Sequence, residues 1–222
     1  MDSKNFQSHI RTYNMMFAFT SVGGKLDNRF NNDRGPPTIR IQGQACHRIG
    51  SLLPPEGHPP KFSQLYIYDK ENKVTNRMDT LRDKNNIHPD IIQNLSDMLY
   101  RHNTHAKSFL MARQWLNQSN VHNLKLKLIS TRSTDGRLYN QPTVSEVAAL
   151  IVGGIDTVEE RDIIMQAKGG QLQHIDEFHP SYLAFHYPLI FPYGEDGYRD
   201  NIAHRDLDIF DDSQRNRLII RE

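Results

Sequence analysis

The stretch from residue 89 to residue 129 constrains the fold most, because its apolar period changes from helical to strand-like. After Pro89, a residue type well suited to the first helical position, apolar residues recur on one helix face at Ile91, Ile92, Leu95, Met98 and Leu99. A second helix is predicted over about 104–118, with an apolar stripe of Phe109, Leu110, Trp115 and Leu116. Residues 124–129 then alternate Leu-Lys-Leu-Lys-Leu-Ile, the period of a strand with both lysines on one face. Two helices followed by a half-buried strand indicate a mixed fold.

The segments on either side of this stretch are predicted to be rich in strands. Before it, apolar or alternating runs predict strands at 15–21, 38–41 and 65–68. After it, a strand is predicted at 147–152, and Gly169-Gly170 between two apolar runs predicts a hairpin of 163–168 with 172–175. The proline- and aromatic-rich residues 179–194 are expected to pack as an ordered coil, and a further helix is expected from Asp212 or Ser213.

These elements predict an α+β domain over residues 1–200, with mixed strands around a central helical pair. The domain is expected to be β-rich over 1–82, helical over 83–120 and β-rich again over 121–200. A small barrel of the oligonucleotide-binding (OB) type is one architecture that fits this order.

Composition and cysteine usage exclude several protein classes. The net charge is +1, so the chain is not a polycation that coats nucleic acid or membrane, and 37% hydrophobic residues are ordinary for a globular protein. The single cysteine, Cys46, excludes an internal disulfide framework and fits a reducing compartment. No apolar run approaches the roughly 18 residues of a spanning helix, and the N-terminus lacks the apolar core of a signal peptide. The chain is therefore expected to be soluble and intracellular, without a membrane partner.

The motifs of phosphate-binding loops and of strand-nicking enzymes are absent. Gly23-Gly24-Lys25 lacks the glycine five positions before Gly24, where Phe19 stands, and the hydroxyl residue after the lysine, where Leu26 stands. Nickases of the replication-initiator type need a His-apolar-His pair, and the sequence contains no such triplet. Neither ATP hydrolysis nor nicking is expected, so no catalytic residue is assigned.

The eleven histidines do not form a recognisable set of metal ligands. Cys46 and His47 are adjacent, and adjacent side chains on a strand point to opposite faces. His102 and His105 have helical spacing, but no carboxylate or cysteine follows at a familiar interval. Ordinary surface or packing histidines are the better interpretation, and no metal or cofactor is predicted.

Residues 101–137 carry seven basic residues against one acidic residue, whereas residues 138–194 carry a net charge of −5. With Tyr100, Trp115 and Tyr139 they combine phosphate-binding charge and stacking surface. The candidate nucleic-acid-binding residues are Lys107, Arg113, Lys125, Lys127, Arg132 and Arg137. The alternative is a solvated helix face beside an edge strand whose lysines prevent aggregation, with Trp115 in the core.

Several long, unusual segments resemble the N-terminal region of plant Helitron helicase-like proteins. The longest reads His-Pro-Ser-Tyr-Leu-Ala-Phe-His-Tyr-Pro-Leu-Ile-Phe-Pro-Tyr-Gly-Glu-Asp-Gly-Tyr at 179–198, and the others lie at 11–21, 47–54, 64–69 and 146–151. Together they span most of residues 10–200.

The resemblance implies a large, nuclear rolling-circle transposase with a nuclease domain and an ATP- and magnesium-dependent helicase. Both domains would follow residue 222, with 201–222 as the lead-in to the nuclease, so the resemblance places no catalytic residue on this chain. Two hypotheses follow for the chain itself. It either assists binding of single-stranded or transposon-end DNA through the basic stretch, or serves as a docking module for the nuclease domain, which the aromatic segment 179–198 favours.

The lack of a ligand set predicts that folding does not depend on a metal ion. A chelator should therefore change the melting temperature by less than about 2 °C, because there is no binding free energy to remove. Differential scanning calorimetry with and without EDTA measures this directly. A decrease of many degrees would show that the histidines hold a structural metal.

Overall fold

The computed structural model describes residues 3–22, 25–26, 41–42, 47–68, 72–81, 86–118, 124–131, 142–152 and 162–198. Within these ranges the helices are α1 (Ser3–Ser8), α2 (Ile10–Phe17), α3 (Gln64–Tyr68), α4 (Lys73–Asp79), α5 (Pro89–His102), α6 (Thr104–Gln118), α7 (Val144–Val147) and α8 (Tyr182–His186). The strands are β1 (Ser21–Val22), β2 (Lys25–Leu26), β3 (Ile41–Gln42), β4 (His47–Ile49), β5 (Leu124–Leu128), β6 (Ala148–Val152), β7 (Ile163–Gln166) and β8 (Gln173–Ile175). The mixed α+β character predicted from the sequence is confirmed.

Helices α5 and α6 form the predicted central pair. Pro89 occupies the first turn of α5. The predicted apolar face of this helix is buried at Ile91, Ile92, Leu95 and Leu99. Asn103 separates the two helices and caps α6, since its Oδ1 accepts a hydrogen bond from the Ala106 amide at 3.0 Å. The expected strand of alternating leucines and lysines is also confirmed as β5, with all three leucines buried.

The described strands form three separate antiparallel sheets, and no closed barrel is found among them. The orders are β1-β4-β8, β2-β3 and β6-β5-β7. The inner face of the β6-β5-β7 sheet shares a core with residues of α6, namely Ala106, Phe109 and Ala112. A helix thus covers this face, so the expectation of an OB-like barrel is not met by the described strands.

The predicted hairpin of 163–168 with 172–175 is wrong, because its two strands belong to different sheets. Strand β7 pairs with β5, and β8 pairs with β4. The outer edge of β7 is occupied by other groups: the Leu52 amide donates to the Gln166 carbonyl at 2.9 Å, and the Gln173 side chain hydrogen-bonds both backbone groups of Ile164. A positive φ of 70° at Gly169 lets the chain turn away towards the second sheet.

Of the strands predicted in residues 1–82, the one at 15–21 is helical up to Phe17 and joins a strand only at Ser21, and the one at 65–68 is a helix. The described part of this region is therefore not predominantly β. Residues up to Phe17 continue α2, which buries Tyr13, Met16 and Phe17 at helical spacing, and residues 65–68 lie in α3. A short apolar run is compatible with a buried helix as well as with a buried strand, and here tertiary packing stabilises the helix. Of the strand predicted at 38–41, only Ile41 lies in the described residues, in β3.

The segment 179–194 also differs from the expected coil, because it contains the short helix α8. The helix expected from residue 212 lies outside the described residues, as does the lead-in 201–222.

Two apolar cores meet at one buried arginine. The larger core lies between α3, α6 and the β6-β5-β7 sheet, and the smaller one lies among α2, α5, Leu81 and Ile87. The Arg77 guanidinium is sandwiched between Phe17 of the smaller core, at 4.4 Å from the ring centroid, and Tyr66 of the larger core, at 4.5 Å. Its Nη1 donates to the Met16 carbonyl at 2.6 Å, so one side chain joins α2, α3 and α4.

Candidate functional site

Lys125 and Lys127 share the outer face of the β6-β5-β7 sheet, as the alternation predicts. Both lie on its central strand, β5. Lys125 is paired with Ile151 of β6 and Gln166 of β7, and Lys127 is paired with Ala149 of β6 and Ile164 of β7. Because β5 is the central strand, the alternative of lysines that protect a sheet edge is wrong for this pair.

The two lysines differ in their electrostatic environment. Lys127 Nζ lies 2.8 Å from Asp162 Oδ2, and that carboxylate is fully buried. The other carboxylate oxygen accepts hydrogen bonds from the Ser130 amide at 2.9 Å and the Ser130 hydroxyl at 3.1 Å. Lys127 is thus neutralised within the fold, whereas Lys125 makes no ion pair with the described part of the chain.

The basic residues of α6 lie on the opposite side of the sheet from this lysine pair. Lys107 and Arg113 are half-buried on a helix that packs against the leucine face of β5. The structure therefore brings Lys125 and Lys127 together but does not extend them into one row with Lys107 and Arg113. The other two candidates, Arg132 and Arg137, lie outside the described residues.

Trp115 was expected in the core, but its side chain is 48% exposed. It follows Phe109 by six residues, which is about 240° around the helix, so it cannot share the face that packs on the sheet. Tyr100 is half-buried against the larger core, and Tyr139 lies outside the described residues.

The residues after α8 form two consecutive turns that Asn14 of α2 holds from one side. Its amide nitrogen donates to the His186 carbonyl at 2.8 Å, and its amide oxygen accepts from the Leu189 amide at 3.3 Å. A single half-buried side chain thus holds the start of the loop 187–194.

The residues at the α5–α6 junction hold the same loop from the other side. Asn103 Nδ2 donates to the Phe191 carbonyl at 3.1 Å. The Thr104 amide and hydroxyl both donate to the Tyr193 carbonyl, at 3.1 and 2.9 Å. Because three helices fix its backbone, the loop is preorganised for contact.

The clamped loop presents three large apolar side chains to solvent. Ile190 is 69% exposed, Tyr193 43% and Tyr187 39%. We call these three residues the aromatic loop surface. Rigid aromatic and aliphatic side chains held in this way are typical of residues that contribute most to protein–protein binding, because little conformational entropy is lost on contact.

The histidines of this region act as packing groups. His105 and His179 are fully buried, and their ring centroids lie 4.6 and 6.2 Å from that of Phe185. Burial lowers the pKa of His186. The described residues contain no group of three His, Cys, Asp or Glu side chains arranged to hold a metal ion.

A cavity of about 480 Å³ lies between α2, α4 and residues 59–65. Its wall is mainly apolar, formed by Met15, Met16, Pro59, Pro60, Phe62 and Leu65. Phe62 has a positive φ of 55°, which is strained for a bulky residue. The polar lining residues are Lys61, Asn76, Asp79 and Thr80.

The longest helix that the structure describes has 15 residues, and none of the described helices combines the length and apolar character needed to cross a membrane. Comparison of the chain with protein-family models, characterised proteins and solved structures finds no match in any of the three.

Three features of these sites carry no clear signal in the sequence. Asp162 is distant from Lys127 along the chain, so only pairing of β7 with β5 reveals that it neutralises this lysine. Residue type predicts a buried Ile190 and an exposed Arg77, whereas Ile190 is exposed and Arg77 is buried. Neither has a periodic pattern that could have predicted it.

The unequal environments of the two lysines predict unequal effects on stability. Lys127→Ala leaves the buried Asp162 carboxylate without its counter-charge and should lower the free energy of unfolding by about 3 kcal/mol. Lys125→Ala, the matched change on the same strand face, should cost less than about 1 kcal/mol. Urea denaturation of both variants measures the difference, and equal losses would contradict a stabilising Lys127–Asp162 pair.

Proposed function

We propose that this chain is a non-catalytic docking module of a Helitron-type replication protein, acting in the nucleus and holding the nuclease domain that the resemblance implies. The observation that carries the proposal is the aromatic loop surface, Tyr187, Ile190 and Tyr193, fixed by side chains of α2 and the α5–α6 junction. These residues lie in the longest segment of the resemblance.

The physical argument rests on the cost of exposing apolar side chains on a rigid backbone. A loop with no binding role would gain by carrying polar side chains at these positions, and exposed apolar groups gathered in one place mark interaction sites. The loop backbone is hydrogen-bonded to Asn14, Asn103 and Thr104, so the loop is ordered before any partner binds. Because the loop is already ordered in the free chain, less conformational entropy is lost when a partner binds to it.

A second function, weak binding of single-stranded DNA, is supported by the position of Lys125. It stands on the central strand of an outer sheet face, beside the exposed Gln166. The ion pair with Asp162 leaves Lys127 a smaller share in phosphate binding. We place this function second because one unpaired lysine gives little electrostatic attraction.

The docking proposal predicts that Ile190→Ser weakens binding to the nuclease domain of a plant Helitron helicase-like protein by about tenfold or more. Isothermal titration calorimetry of the full chain with that domain measures the affinity. Leu172→Ser is the matched control, since Leu172 is 67% exposed but lies beside Gly50, outside the loop. Loss of binding in both variants, or no binding by the parent chain, would contradict the proposal.

The DNA-binding proposal predicts that Lys125→Ala weakens binding of single-stranded DNA at low salt equally for all sequences. It should reduce the slope of log affinity against log salt by about 0.7, the value for one lost phosphate contact. Lys127→Ala should have a smaller effect, and Lys168→Ala, at an exposed turn, is the control for net charge. Fluorescence anisotropy over a salt series tests this, and unchanged binding by Lys125→Ala would exclude the strand face.

A further inference from the structure

The guanidinium of Arg77 is fully buried, yet only part of it is hydrogen-bonded. Nη1 donates to the Met16 carbonyl, whereas Nε and Nη2 have no hydrogen-bond partner among the residues that the structure describes. These two nitrogens form one edge of the guanidinium, and their N–H groups point in parallel. That edge is the fork that binds a carboxylate or phosphate through two parallel hydrogen bonds.

The charge of Arg77 is also uncompensated by the described part of the chain. Arginine stays protonated in proteins, so its burial costs free energy unless an anion is near. The phenol of Tyr66 lies against Arg77, but burial raises its pKa, although the positive charge of Arg77 acts in the opposite direction. Its hydroxyl donates to the Phe17 carbonyl at 2.7 Å. Tyr66 therefore remains neutral and cannot serve as the counter-charge.

A second cation lies one helical turn away on the same face of α4. Lys73 precedes Arg77 by four residues, which places their Cβ atoms about 6 Å apart. The Lys73 ammonium lies 4.6 Å from the centroid of the Tyr100 ring, and that ring contacts Tyr66 edge-on at 5.7 Å between centroids. Lys73 makes no ion pair with the described residues. Two like charges at this spacing repel each other, and an anion between them would relieve both.

We propose that Lys73 and the Nε/Nη2 edge of Arg77 form a binding site for a small oxyanion of the phosphate type. Arg77 supplies the two parallel hydrogen bonds, and Lys73 supplies a second positive charge. Lys73 is only half-buried, so the anion enters from the surface at that end. Two cations favour a doubly charged phosphate over a single carboxylate. The site is independent of the aromatic loop surface and of Lys125.

The experiment is a titration of the full chain with inorganic phosphate at constant ionic strength and pH. Isothermal titration calorimetry measures the affinity, and the melting temperature is measured at each phosphate concentration. Phosphate also stabilises proteins generally through exclusion from their surface, so the result is read as a difference between variants. The parent chain and Lys168→Met, the charge-matched control, should show saturable binding. Lys73→Met should bind about tenfold more weakly, and Arg77→Lys, which keeps the charge but loses the fork, should also lose affinity.

Equal phosphate affinities and equal increases in melting temperature for the parent chain and Lys73→Met would overturn the proposal. This comparison tests the proposal even if Arg77→Lys fails to fold. A single-stranded oligonucleotide without a terminal phosphate should leave the phosphate isotherm unchanged. Competition by that oligonucleotide would overturn the assignment to a small oxyanion.

Discussion

The contact of Arg77 with Phe17 and Tyr66 is the interaction on which the rest of the structure depends. It lies where the two apolar cores meet, and each core contributes one ring to the sandwich. A desolvated cation between two aromatic faces gains on the order of 2 kcal/mol or more from each, which partly offsets the cost of burying the charge. The hydrogen bond to Met16 fixes α2 in the same arrangement. Helices α2, α3 and α4 are therefore held together through one side chain.

The position of α6 determines which surfaces can act together. This helix is buried against the leucine face of β5, and its N-terminal junction carries Asn103 and Thr104, which hold the aromatic loop surface. The same packing turns Lys125 and Lys127 to the far side of the sheet. Within the described residues, the chain consequently has a rigid apolar surface and a separate, weakly basic sheet face, rather than one continuous basic groove.

Much of the local structure could be predicted from the residues, but the candidate sites could be predicted only in part. The period of the apolar residues gave correct helices at α5 and α6 and a correct strand at β5, because long periodic segments leave one solution. The short apolar runs at 15–17 and 65–68 were wrongly predicted as strands, because a helix and a strand can each bury a run of this length. The shared face of Lys125 and Lys127 followed from alternation, but the ion pair to Asp162 depends on which strand lies beside β5.

The sequence alone determined the α+β class, the central helices, the two-faced strand, and the absence of phosphate-loop and His-apolar-His motifs. These properties are local, because they depend on residue type and on spacing within a few turns. The tertiary structure decided that β7 and β8 belong to different sheets, that Lys127 is neutralised, that Ile190 is exposed and that Arg77 is buried with an open hydrogen-bonding edge. Each of these depends on contacts between residues distant along the chain, whose free energies exceed the local preference of any single residue.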